Sequence, residues 1–232
     1  MGKIIEIIAL EKKYGSKKVL DNISLTLESG TIVGLLGPNG CGKTSLIKVM
    51  AGLIKDYNGK VLIDGNEPGE ASKALISYLP EKTYLSENYR AREAMDFFED
   101  FYTDFDRKKA EEMFQQFKLD PNQKIKSMSK GMQEKVQLIL VMSRRAKIYL
   151  LDEPLGGLDP ASRKAMLDII LNNYSEDSVV LISTHLIHDV ERIFDKVIMV
   201  GDRRILIDDT VDNIRESKGK SVVELFEEVF KC

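Results

Sequence analysis

The sequence predicts an α/β fold: a core built on a mainly parallel sheet, an N-terminal antiparallel β portion, and an inserted helical lobe. Three observations predict it. After Thr31, and again after Arg145, short apolar runs alternate with helical patterns, the arrangement of a parallel sheet with helices on its faces. Ahead of Thr31, β patterns follow one another with only turns between them. Between about Glu87 and Arg145 the apolar spacing becomes helical. The chain reads as one domain over 1–232, with about 1–86 and 146–232 as the core and about 87–145 as the lobe.

Ile4 to Leu10, Ile23 to Leu27 and Thr31 to Leu36 read as strands, separated by the turn signals Tyr14-Gly15 and Ser29-Gly30. The third runs directly into Gly37-Pro38-Asn39-Gly40-Cys41-Gly42-Lys43-Thr44, followed by Ser45. This is the pattern G-x-x-x-x-G-K-[ST] of a phosphate-binding P-loop between a strand and a helix. Gly37, Gly40 and Gly42 let the backbone curl so that N–H groups converge on phosphate oxygens. The helix from Lys43 adds its positive N-terminal end. Lys43 reaches the β- and γ-phosphates, and the Thr44 hydroxyl ligates Mg²⁺. The expected core is therefore that of a P-loop nucleoside triphosphatase, with Gly37, Asn39, Gly40, Cys41, Gly42, Lys43, Thr44 and Ser45 holding the nucleotide.

Gly59 to Gly65 and Ala74 to Leu79 read as strands, the latter stopped by Pro80. In the lobe, Ala94, Met95, Phe97, Phe98 and Phe101 recur at helical spacing, as do Ala110, Met113, Phe114 and Phe117. These phenylalanines are expected to form a small helical core. Asp120-Pro121 breaks the run, and a further helix follows Ser129. Then come a strand over Ile148 to Leu151, a helix over Pro160 to Tyr174 capped by Asp159, and a strand over Val179 to Ser183. A helix over Asp189 to Phe194, a strand over Val197 to Val200, and a capping box Ser221-x-x-Glu224 before a last helix complete the reading.

The segment Ile148-Tyr-Leu-Leu-Asp-Glu-Pro154 is a buried strand ending in carboxylates, the Walker B arrangement. Asp152 is expected to order Mg²⁺ opposite Thr44. Glu153, one residue on, is placed to polarise a water for attack on the γ-phosphorus. Such general-base assistance is worth ~10²–10⁴-fold in rate.

Composition removes other classes. The 34 basic and 37 acidic residues are well mixed, giving a net charge of −3, so no basic field points to nucleic acid. Cys41 and Cys232 supply neither a disulfide framework nor metal-ligand spacing, which suits a reducing cytosol. No apolar run approaches the ~18 residues of a membrane span, and Glu6 interrupts what would be a signal-peptide core. A cytoplasmic protein is expected.

With these segments in order, the chain resembles the ATP-binding subunit of ABC transporters over nearly its whole length. Gly156-Gly-Leu-Asp159 matches the family's D-loop, and Val180-Leu-Ile-Ser-Thr-His185 its switch histidine. Tyr14 matches the aromatic that stacks on adenine, implying ATP as the nucleotide. The family signature Leu-Ser-Gly-Gly-Gln appears as Met128-Ser129-Lys130-Gly131-Met132, followed by Gln133. The resemblance implies that Ser129, Lys130, Gly131, Met132 and Asp159 meet the nucleotide of a second subunit, and that His185 orients the attacking water. Lys130 and Met132 depart from the signature. So does Glu81 in Tyr78-Leu-Pro-Glu81, where the family carries a glutamine near the metal. A carboxylate there can ligate Mg²⁺ while adding negative charge beside the γ-phosphate.

Both departures resemble the bacterial antibiotic-resistance and drug-export branch, whose permease is a separate chain. The resemblance implies an Mg²⁺-dependent ATPase, catalytic through Glu153, His185 and Lys43, with metal ligands Thr44, Glu81 and Asp152. It implies a homodimer, or pairing with a similar cassette, held on the inner face of the membrane by a transmembrane permease, an exporter on that reading of the branch, with no nucleic-acid partner. Glu81 to Arg92 with the helical lobe is the expected docking surface. A soluble ABC-type ATPase acting on a protein or metal-cluster assembly is the alternative.

Overall fold

The computed structural model describes residues 2–230. Cys232, read above as unpaired, lies outside them. Two sheets form. In the first, β1 (Lys3–Tyr14) lies between β2 (Lys17–Glu28) and β4 (Asn58–Ile63), antiparallel to both. The second has the order β5-β6-β7-β3-β8-β9. Its strands are β3 (Thr31–Leu36), β5 (Ile76–Leu79), β6 (Ile148–Asp152), β7 (Val179–Thr184), β8 (Lys196–Gly201) and β9 (Arg204–Thr210). All pair in parallel except β9, which returns antiparallel along β8.

The parallel strands are apolar on both faces because both faces are covered. Val33, Leu35, Ile148, Leu150, Leu181 and Ile198 pack with the first sheet and with α1 (Lys43–Met50). Ile32, Leu36, Leu151, Ile182 and Met199 point the other way. There they meet α5 (Lys130–Met142), α6 (Pro160–Asn173), α7 (Ile187–Val190) and α9 (Val222–Phe230). No helix among the described residues is long and apolar enough to cross a membrane.

The lobe consists of α3 (Ala91–Phe101), α4 (Arg107–Gln116) and α5. Two cations, Arg144 buried and Lys109 half-buried, tie it to the core. Arg144 donates to the carbonyls of Ala74 and Ile76 and to the Asp104 carboxylate, and lies 3.9 Å over the Tyr102 ring. Lys109 donates to the carbonyls of Met142 and Asn173, the last residues of α5 and α6. A cation at these C-terminal ends complements the helix dipoles.

Several expectations need correction. Phe98 and Phe114 are buried, but Phe97 and Phe101 are exposed and stack on each other at 5.9 Å. They form a surface stripe because the side of α3 that carries them has no covering element. Ala74 ends a short helix, α2 (Glu70–Ala74), instead of beginning β5. The helix expected over Asp189 to Phe194 is α7 followed by a 3₁₀ turn over Glu191–Ile193. β9 and α8 (Val211–Lys218) were not anticipated. The Ser221–Glu224 capping box forms, Glu224 N–H donating to Ser221 Oγ at 3.1 Å and Ser221 N–H to Glu224 Oε2 at 2.7 Å.

Candidate functional site

The parallel register brings the ends of β3, β5, β6 and β7 to one edge, where Leu36 pairs with Thr184, Leu79 with Leu151, and Asp152 with Ser183. Ligands of open α/β sheets bind outside this carboxyl edge. The P-loop leaves β3 here, and Gly37 and Gly42 are required by space as well as by φ. A Cβ on Gly37 would lie 2.3 Å from the Val200 carbonyl oxygen. One on Gly42, at φ +114°, would lie 2.8 Å from that of Val19. Asn39 lines the cleft outside the edge, and Cys41 is half-buried, burial pushing its thiol pKa up. Ser45 continues into α1.

Lys43 is buried, and its ammonium donates to the carbonyls of Gly37 at 2.8 Å and Pro38 at 3.3 Å. It lies 3.5 Å from Glu153 Oε1. The other carboxylate oxygen, Glu153 Oε2, is 2.9 Å from His185 Nδ1. Against an ionised carboxylate, Nδ1 is the donor of this contact. The Glu153 backbone is left-handed, at φ +51°. Its N–H is held by the Ser183 carbonyl at 3.1 Å and the Ser183 hydroxyl at 2.9 Å.

Asp152 Oδ1 accepts from Ser183 Oγ at 2.7 Å and Thr44 Oγ1 at 3.2 Å. Its Oδ2 is buried with no partner among the described residues. Burial raises the Asp152 carboxyl pKa against those two hydrogen bonds, and the Glu81 and Glu153 charges add to the rise. A buried, unpartnered carboxylate oxygen beside a threonine hydroxyl is a donor set suited to a hard cation. Glu81 lines the same cleft from the segment after β5, as does Lys130 from the start of α5. The cleft holds about 740 Å³.

The remaining expected residues lie elsewhere. Ser129 caps α5, its hydroxyl accepting from Met132 N–H at 3.3 Å, and is exposed on the lobe. Gly131 packs against the start of α6, where a Cβ would lie 3.4 Å from Leu158, just before the helix, and 3.5 Å from Ser162 within it. Asp159 caps α6, accepting from the N–H groups of Ala161 and Ser162, and the hydrogen bonds to Ser162 lead in holding its carboxyl pKa down. Gln133 is turned inward, donating to the carbonyls of Ile125 and Met128. Tyr14 stands exposed at the β1–β2 hairpin, outside the cleft, with Lys12 Nζ 4.7 Å over its ring. The strand returning from that turn passes Gly42 at Val19.

Ser183 is the residue that sequence reasoning passed over. It lies in the quoted run before His185, and its hydroxyl joins the supports of Asp152 and Glu153. The signal was a hydroxyl in an otherwise apolar strand next to β6.

Comparison with known proteins agrees with this geometry. Residues 20–156, more than half of the chain, match the ABC transporter family. The chain is 36% identical to the ABC transporter ATP-binding protein MJ1023 of Methanocaldococcus jannaschii over 205 residues, 84% of this chain and 73% of that protein. It is 30% identical to the ABC transporter ATP-binding protein YtrB of Bacillus subtilis, over 92% of this chain and 74% of that one. The daunorubicin resistance ATP-binding protein DrrA3 of Streptomyces coeruleorubidus is 28% identical, over 95% and 72%. A solved ATP-binding subunit of an ABC transporter superposes with a TM-score of 0.87 at 27% identity, covering 98% of this chain and 99% of that one. A strand-edge P-loop, the acidic end of β6 and these similarities lead to one assignment: the chain belongs to the ABC transporter family, as one of its ATP-binding domains.

Proposed function

We propose that this protein hydrolyses ATP at the interface of a head-to-tail dimer and so drives a separate membrane permease, working as an exporter. The observation that carries the proposal is the position of Glu153. It is anchored through its backbone to Ser183, with Lys43 on one carboxylate oxygen and His185 on the other.

In this reading the P-loop backbone and Lys43 bind the β- and γ-phosphates, and phosphate charge draws Lys43 off Glu153. Glu153 then accepts a proton from the attacking water, while His185 holds that carboxylate and the γ-phosphate in place. Thr44, Asp152 and Glu81 would hold Mg²⁺, which supplies charge neutralisation of the phosphates. The buried, unpartnered Asp152 Oδ2 supports that assignment. Ser129, Lys130, Gly131 and Met132, with Asp159, would complete the partner subunit's site; the exposure of Ser129 and Lys130 on the lobe, and of Asp159 at the start of α6, supports that reading. Tyr14 would stack on adenine.

The whole chain acts as a single ATPase domain, with the helical lobe inserted into the core. Phe97, Phe101, Tyr84 and Leu53 are exposed together along a groove between lobe and core, which suits docking of an apolar segment of the permease. That partner would place the protein on the inner face of the membrane. The similarity to a daunorubicin resistance protein supports export.

The test is Glu153→Gln. ATP binding should be retained, phosphate release should fall by ~10²–10⁴-fold, and an ATP-dependent dimer should accumulate on size exclusion. Undiminished turnover in this variant would remove Glu153 from the mechanism.

A further inference from the structure

Glu134 and Gln137 stand one helical turn apart on α5 and line the cleft that holds Glu153. Glu134 Oε2 and Gln137 Oε1 are both buried without a partner among the described residues, and Gln137 is only 3% exposed. Two neighbouring buried acceptors lacking donors are an unfavourable arrangement that a closing donor would relieve.

The segment after β5 lines the same cleft. It carries Lys82, which has no hydrogen-bond or ion-pair partner among the described residues. Among the described residues the cation paired with Glu134 is Lys130, with Nζ 3.6 Å from Glu134 Oε1. Lys130 also lies over Gly157, so close that a Cβ there would be 2.6 Å from Nζ. In the dimer proposed above, Lys130 turns to the partner subunit's triphosphate. Its departure would strand a half-buried carboxylate in a cleft already made negative by Glu81, Asp152 and Glu153. Burial already holds the Glu134 carboxyl pKa above its ordinary value.

We propose that Lys82 is a positioning residue that latches the helical lobe to the core. When nucleotide draws the segment around Glu81 inward, the Lys82 ammonium replaces Lys130 at Glu134 and also donates to Gln137 Oε1. The four-carbon stem and three rotatable donors of a lysine suit it to bridge two acceptors one helical turn apart. Glu134 thereby exchanges cations: Lys130 in the open form, Lys82 in the closed one. The inference rests on the ATP-driven closure described above.

Zero-length carbodiimide coupling, read by mass spectrometry on the purified full chain, tests it without any substitution. The expected product is a Lys130–Glu134 amide without nucleotide, and a Lys82–Glu134 amide with Mg²⁺ and a non-hydrolysable ATP analogue. A Lys82–Glu134 yield that nucleotide does not raise would overturn the latch. A mutant cycle gives the second reading. Lys82→Met and Glu134→Gln should each slow ATP turnover about tenfold, with the double variant no slower than the slower single. Additive losses would also overturn it. Retained ATP binding and phosphate release by the native chain alongside either negative result would sink the latch alone. Their absence would sink the ATPase reading as well.

Discussion

Lys43 shows how a buried side chain can be satisfied within the chain and still face a ligand site. Its ammonium is buried and satisfied by two loop carbonyls and the nearby Glu153 carboxylate, so its charge is compensated before any phosphate arrives. Lys43→Met removes a charge-assisted donor to the phosphates. ATP affinity should fall roughly tenfold to a hundredfold by calorimetry, the range expected from such a hydrogen bond. At this scale much of the site could be read from the sequence, because Lys43, Thr44, Asp152 and Glu153 each follow an apolar strand at a fixed offset. Ser183 could not. Its hydroxyl stands out in β7, but what it supports depends on the register that sets it beside Asp152 on the neighbouring strand.

Among the elements, the strands that matter to the site were the legible ones. β3, β6, β7 and β8 are uninterrupted apolar runs because they are buried on both faces. β1 and β9 were harder. β1 bulges at Ala9, φ +49°, and continues through Glu11, Lys12 and Lys13, so its alternation breaks and its charges suggest a loop. Lys12 is nonetheless buried, paired with Asp56 at 2.6 Å. β9 carries Asp208 and Asp209 near its end, on an edge that tolerates charge. Phe97 and Phe101 misled for a different reason. A helical stripe records that an apolar face exists, not whether this chain or another covers it. The turn between β3 and α1 permits a sharper test. Gly42→Ala would force a Cβ toward Val19 at a left-handed position, so nucleotide binding should be lost and thermal unfolding should occur at lower temperature.

At the level of the whole molecule, the two sheets are joined by few polar links. One is at Asp21, whose N–H donates to the Arg203 carbonyl and whose carboxylate takes Lys18 and Arg204. The hydrogen bond from Lys18, then that from Arg204, lowers the Asp21 pKa from 3.8 to about 2. A carboxyl depressed in the folded state contributes stability above its unfolded value, and that contribution is lost as pH falls through the folded one. Asp21→Asn should therefore flatten acid unfolding between about pH 4 and pH 2. The difference should shrink in high salt, since the group lies at the surface and is only half-buried. The groove between lobe and core gives a further test. Phe97→Ser with Phe101→Ser should leave ATP turnover by the purified chain unchanged, yet abolish co-purification with a membrane protein from detergent extracts. Retained co-purification would move the docking surface elsewhere.

The left-handed backbone at Glu153 has a consequence for how this chain can be engineered. A side chain other than glycine there costs on the order of 1 kcal/mol, so a library sorted only for heat resistance would drift toward glycine or asparagine and discard the carboxylate. Robustness and turnover favour different letters at this codon, and a stabilised variant must hold it fixed.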